Sequence, residues 1–314
     1  MRLKNFLLLL LSLILLKAKA QDSQLSQPYS NPIILNPAYA GGSDGYAIFT
    51  NYRNQWPGLD AYKTSVISAD IPIDKISGGI GLSFMNDKYN LINSNNYSLS
   101  YACSFKLLEN YTVRAGLEGS YIRQSIDWSK FAFGSIIASR NGFFYYRQPI
   151  VLNDRVELFD FSSGLLVSGK RMNVGFAIHH LAEPNESFIR GGYSPLSRRY
   201  SAHGSLTLNW GKFNVSPHLL YMTQGYFQQF NLGCYINRGL PSVGIIYRHT
   251  PESPDAAIAS LALRHKYFRI GYSYDFTVSK LGMKTYGAHE LFLSGLIPHK
   301  RERKKSYPAN RPIF

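Results

Sequence analysis

The sequence predicts an all-β fold, a transmembrane antiparallel β-barrel of the outer membrane with about 14 strands. Three observations predict it. Apolar and polar residues alternate strictly over segments of about ten residues, which marks strands with one apolar and one polar face. Aromatic residues make up 14% of the chain (23 Tyr, 19 Phe, 3 Trp), while charged residues make up 17%, below the usual ~25%. No apolar run after the first 20 residues approaches the ~20 that a transmembrane helix needs. A barrel builds its lipid face from alternate residues, so it needs no such run.

Residues 1–20 read as a cleavable secretory leader. Arg2 and Lys4 precede an apolar stretch from Phe6 to Leu16, and Ala18-Lys19-Ala20 supplies a small-x-small cleavage site. No cysteine follows that site, so it is not a lipoprotein leader. The formal charge is +15; loss of the four leader cations leaves +11, and the tail 299–314 holds +5 of that. An exported basic chain meets anionic lipid head groups or an acidic protein sooner than nucleic acid.

The clearest strands are Tyr97–Leu107 and Tyr111–Tyr121, joined by a tight Glu109-Asn110 turn. Tyr97, Leu99, Tyr101, Cys103, Phe105 and Leu107 share one face, and Ser98, Ser100, Ala102, Ser104 and Lys106 the other. The same alternation runs through Tyr46–Tyr52, Tyr62–Ile71, Ile80–Phe84, Val156–Val167, Arg171–His180, Tyr200–Trp210 and Val215–Tyr221. It continues in Phe230–Ile236, Val243–Tyr247, Ala257–Leu263, Phe268–Tyr274 and Ala288–Leu296. A soluble β-sandwich alternates in the same way. Tyr and Trp near the strand ends favour the barrel, whose membrane interfaces carry aromatic girdles. Cys103 and Cys234 fall in apolar registers of distant strands, which puts both toward lipid and argues against a disulfide. The stretches Ser125–Asp154 and Glu183–Arg199 are long, polar loops on the side opposite the short turns, hence outside the cell; the second reads as a mobile surface loop.

Chemistry is sparse. No H-E-x-x-H or C-x-x-C occurs. His289 and Glu290 are adjacent, so on a strand they point to opposite faces. Asp70, Asp160, Asp275 and His203 are the members from which distant strands could assemble a hydrolytic site, and nothing in their spacing favours one. Neither a cofactor nor a metal is expected. Arg114, Glu118, Asn173, His203, Asn209, Asn231, Arg248, Arg269 and Asp275 are expected to line the lumen. Their mixed charges suit a filled, hydrogen-bonded interior more than a selective channel. Gly78, Gly79 and Gly81 read as a bulge or a point of tight packing.

The most distinctive block is Asn31 to Pro57. Asn31-Pro32 and Asn36-Pro37 bar regular helix or central strand. Tyr52, Arg53, Asn54, Gln55 and Trp56 then place many donors beside an indole. Burial of such donors requires specific partners. The candidate partner-binding or plug residues are accordingly Asn36, Pro37, Tyr52, Arg53, Asn54, Gln55 and Trp56, at the periplasmic rim or inside the barrel.

These motifs carry a resemblance. The run Gln21-Asp22, Asn31-Pro32, Leu35-Asn36-Pro37-Ala38 and Ala40-Gly41, followed by Tyr52–Trp56, resembles the PorP/SprF family of the type IX secretion system. So do His180-Leu181 before Pro184, Arg269–Asp275, and His289-Glu290 at the last strand. Ser23 and Leu25 stand where the family commonly has Pro and an aromatic, and the tail lacks its Cys-Pro ending. The resemblance implies an outer-membrane protein that serves secretion and, in some members, display of gliding adhesins. Its implied partners are periplasmic ring and peptidoglycan-binding components and a secreted surface protein, and it implies no enzyme. The expected organisation is a leader (1–20), an N-terminal periplasmic or plug segment (21–44), the barrel (45–298) and a basic periplasmic tail (299–314). An uptake porin or lipid transporter is the alternative.

Overall fold

Alternation organises the wall. The computed structural model describes residues 22–59, 62–127, 152–251, 255–278 and 286–298. The leader, the basic tail and most of the Ser125–Asp154 stretch lie outside these. The strands are β1 (Gly45–Gln55), β2 (Tyr62–Ile73), β3 (Gly78–Tyr89), β4 (Ile92–Leu108) and β5 (Tyr111–Ile126). They continue with β6 (Arg155–Gly169), β7 (Met172–His179), β8 (Arg199–Leu206), β9 (Leu208–Trp210) and β10 (Phe213–Gln224). The last five are β11 (Phe227–Asn237), β12 (Pro241–His249), β13 (Ala256–Arg264), β14 (Phe268–Thr277) and β15 (Ala288–Pro298). Each pairs antiparallel with its neighbour, and β1 pairs with β15 to close the cylinder. β8 and β9 both pair with β10 and are one stave interrupted at Thr207, which gives the closed 14-stranded barrel the sequence predicts.

The outer face is apolar: Ile48, Ile67, Leu99, Leu117, Phe161, Leu232 and Ile245 are all exposed. Cys103 and Cys234 are half-buried, free thiols in these outward registers. Gly78 and Gly79 mark tight packing and not a bulge: an added Cβ on Gly79 collides with the Gly41 backbone. The one ladder irregularity of this region is between Lys106 and Leu108.

Residues 22–44 do not hang below the barrel; they run through it. Their path is a 3-10 turn (Pro28–Ser30), one α-helical turn (Pro32–Leu35) and a second 3-10 turn (Pro37–Tyr39). Proline opens each, where its missing N–H costs nothing. Ile33, Leu35, Ala38 and Tyr39 are buried against inward side chains of the wall. One cluster joins Tyr29, Leu35, Ala38 and Tyr39 to Leu166, Leu220, Tyr235, Ile246, Ile258 and Phe292; another joins Ile33 to Ala47 and Phe49. The interior is therefore partly an apolar core, in addition to the filled, hydrogen-bonded lumen that the sequence led us to expect. Alternation alone shows which residues face inward but not that a second chain segment will cover them.

Strand direction fixes the ends. β1 starts at the short-turn end and finishes at the end that bears the long connections. Asp22 contacts His180, Arg199 and Gln224 at the long-loop end, while Gly41 meets Gly79 at the short-turn end. The segment thus descends from the outer mouth toward the periplasm, because long loops face outward. The Glu183–Arg199 stretch is tethered and not a free surface loop. Its Leu196 packs on Ile122 and Leu158, Glu186 accepts from Gln124 at 3.3 Å, and Asn185 bridges to Pro195.

Candidate functional site

The lumen segment is gripped at three levels. At the outer end, the His180 ring lies between two carboxylates, with Nδ1 2.6 Å from Asp160 and Nε2 2.8 Å from Asp22. Arg199 Nη1 donates to Asp22 at 2.6 Å and Gln224 Nε2 at 3.0 Å. Burial works against charge on the Asp22 carboxyl, but His180 and Arg199 hold it far below the usual carboxylate range. Burial likewise opposes a charged His180, yet Asp22 and Asp160 push its pKa up to about 9. The imidazolium then donates from both nitrogens. His180 has φ +60°, a left-handed conformation that needs such partners to hold it.

In the middle sits a four-charge cluster. Arg53 Nη2 is 2.9 Å and Arg248 Nη1 3.0 Å from the same Asp275 oxygen, and Arg53 Nη1 is 3.8 Å from Glu290. The charges balance. This cluster holds the segment directly: Arg53 donates to the Ser26 hydroxyl, Arg248 donates to the Leu25 carbonyl at 3.3 Å, and the Ser26 N–H donates to Glu290. Asn51 donates to Glu290 at 3.3 Å and to Ser30 at 2.6 Å. Tyr29 extends the grip to the far wall, with its hydroxyl 2.7 Å from the Leu219 carbonyl and 3.1 Å from that of Gly204.

Nearer the periplasm, Asn36 caps the Pro37–Tyr39 turn by accepting the Ala38 N–H at 2.8 Å. Its Nδ2 faces the carbonyls of Leu165 and Phe176 at 3.1 and 3.2 Å and His203 at 3.2 Å. Arg114 donates to the carbonyls of Ala38 and Ala40, and Asp70 accepts the N–H groups of Gly41 and Ser43. Glycines make room for this. A Cβ on Gly116 would strike the Pro37–Ala38 backbone, and one on Gly164 would strike the Asn36 side chain.

The predicted site residues therefore divide. Asn36, Pro37, Arg53 and Gln55 face the lumen, at different depths, and Gln55 accepts from Arg53 at 3.1 Å. Alternation turns Tyr52 and Asn54 to the outer side of β1, and Tyr52 is exposed. Trp56 lies at the long-loop rim with φ +55°, edge-on to Tyr62 at 5.4 Å. Since β1 ends there, these residues do not seal the periplasmic floor. Of the expected lumen residues, Arg114, His203, Asn231, Arg248 and Asp275 are buried inside, whereas Asn209 is exposed near the short-turn end. Asp70, Asp160, Asp275 and His203 do not converge: each contacts a different part of the segment or its His180 latch. Among the described residues no cluster of three or more His, Cys, Asp or Glu could hold a metal ion. Ser26, Glu290 and the Asp22–His180–Asp160 triad escaped sequence reasoning as partners. The signal that could have raised Glu290 was an inward-register carboxylate on a strand with no lysine or arginine.

Among solved structures the chain is similar to the Acinetobacter baumannii outer membrane protein Omp33, at 8% identity over 81% of this chain and 98% of that one, TM-score 0.47. It is also similar to a Pseudomonas aeruginosa FadL homologue (14%, 84% and 92%, TM-score 0.45) and to the CymD monoaromatic hydrocarbon channel (10%, 90% and 95%, TM-score 0.46). No curated protein matches. The family model for the type IX secretion system membrane protein PorP/SprF matches residues 17–294, nearly all of the barrel and its lumen segment. With that match and a closed barrel whose outer surface is apolar, the chain belongs to the PorP/SprF family and is an outer-membrane protein of the type IX secretion system.

Proposed function

We propose that this protein supports secretion or cell-surface anchoring of substrate proteins of the gliding-adhesin type through protein–protein contacts, and that it does not conduct solutes. The observation that carries this reading is the occupied lumen: residues 22–44 fill it from the outer mouth to the periplasmic end. In this role Asn36, Pro37, Arg53 and Gln55 are plug residues. The partners are periplasmic ring and peptidoglycan-binding components on the short-turn side and a secreted surface protein on the loop side. The tethered outer loop supports the second contact, since it presents exposed Tyr193 and Ile189. In planar bilayers the purified protein is expected to stay closed, while affinity capture from membranes retrieves periplasmic ring proteins and a secreted substrate. A steady open conductance with no such capture would establish an uptake channel instead.

A further inference from the structure

We propose that the outward face of β2–β6 binds one phosphorylated, multiply acylated glycolipid of the outer leaflet. The argument lies in four successive rows of residues that the strand register aligns across this wall. The row nearest the bilayer centre is Ala69, Leu82, Leu99, Gly119 and Phe161. Next, toward the long loops, come Ile67, Phe84, Tyr97, Tyr121 and Phe159, then Ser65, Asn86, Asn95, Arg123 and Glu157. The last row is Lys63, Lys88, Asn93, Ser125 and Arg155. Rows two residues apart along a strand are separated by about 7 Å. Aliphatic, aromatic, carboxamide and cationic layers therefore follow one another in the order of acyl chain, interface and head group.

Two features make this a site and not a generic girdle. The first is a surface concavity of about 630 Å³, bordered by Ile48, Ile67, Leu82, Leu99, Tyr121 and Phe161. Ala69 and Gly119 leave it open by supplying almost no side chain, and its volume lies in the range of ligand pockets. The aromatic row closes its outer rim, with ring centroids 4.9 Å apart for Phe84–Tyr97, 6.3 Å for Tyr97–Tyr121 and 5.3 Å for Tyr121–Phe159. The second is charge. In the two outermost rows Glu157 is the single acid against Lys63, Lys88, Arg123 and Arg155, and it is shared by both arginines at 4.0 and 3.9 Å. Lys63 and Lys88 lie directly opposite each other across β2–β3 in the outermost row. Asn86 donates to both Asn93 and Asn95 at 2.8 Å, which directs the NH2 ends of those two residues away from that contact, as donors for phosphate or sugar oxygens. The anionic end of the ligand is at the long-loop side, so the occupant comes from the outer leaflet.

The test uses the full chain in detergent, titrated with fluorescent bisphosphorylated lipid A, its dephosphorylated form and phosphatidylglycerol. Native mass spectrometry counts the bound copies. The wild type is expected to retain one bisphosphorylated lipid. The variant K63A/K88A/R123Q should bind about 100-fold more weakly, as three interfacial cations are removed. Gly119→Leu should weaken binding about tenfold with every charge in place, because the added side chain fills the concavity. A Cβ at Gly119 meets only the Phe161 ring at 4.0 Å, so the wall accommodates it. Leu261→Trp on the opposite wall serves as a neutral control. Heat-modifiable gel mobility verifies folding of every variant. Unchanged affinity in either variant, equal binding of the dephosphorylated lipid, or saturation by phosphatidylglycerol at the same concentration would each overturn the proposal.

Discussion

Replacement of Arg53 by Met removes one positive charge from the centre of the lumen while keeping most of the side-chain volume. Arg53 and Arg248 face Asp275 and Glu290, all four nearly inaccessible, so the substitution leaves a buried net charge of −1. Breaking a buried pair by removal of one partner costs ~3–5 kcal/mol. Here the low end applies, because Asp275 retains Arg248 at 3.0 Å and Glu290 retains Asn51 at 3.3 Å. A loss of ~3 kcal/mol corresponds to roughly a 150-fold shift between the seated and released segment. Urea titration in liposomes reads the stability, and limited proteolysis at residues 22–30 reads release of the segment. A second change, Glu290→Gln, restores neutrality. The pair R53M/E290Q should regain about 2 kcal/mol relative to R53M alone, a coupling expected only of residues in one network. Arg53→Met within ~0.5 kcal/mol of wild type, the range of ordinary surface changes, or strictly additive effects of the two substitutions, would refute the account of Arg53 as the clamp of the segment.

Three further outcomes follow from the same geometry. The folded-state pKa of His180 is pushed up to about 9 from an ordinary 6.5. A raised value means that the latch is fully present below pH 6.5 and is lost as pH rises through 9. Protease access to the segment should increase over that window, and His180→Gln should abolish the dependence. Gly116→Val places methyl groups against the Pro37–Ala38 backbone, and overpacking of ~1–3 kcal/mol should expel the segment; step-like conductance in a planar bilayer is the readout. Tyr29→Phe removes the hydroxyl that reaches the Leu219 and Gly204 carbonyls and should cost ~1–2 kcal/mol in urea titration, with no new conductance.

The barrel was legible because its wall is a period-two code. The Tyr97–Leu107 and Tyr111–Tyr121 segments alone revealed the inside, the outside and the side of the membrane on which the connecting turn lies. That Arg53 would need specific partners if buried was also legible. Which partners they are was not. Asp275 and Glu290 reach Arg53 across 222 and 237 positions of chain, and no local spacing encodes that. The course of residues 22–44 was hidden for a related reason. Its prolines show only that it is irregular, and Gly116 and Gly164, which clear its path, look in sequence like ordinary strand glycines.

In the ladder between β1 and β15, Arg53 stands directly across from Glu290, and this pairing is the closure of the cylinder. The chain passes through the interior immediately before it supplies the first stave. A finished ring would have to be threaded lengthwise by that segment, whereas an open sheet can simply curl around it. The route that avoids threading lays the N-terminal residues down first and closes the last hairpin over them. Ser26 of the segment contacts both Arg53 and Glu290, so a barrel that closes empty leaves those contacts unmade at the line of closure.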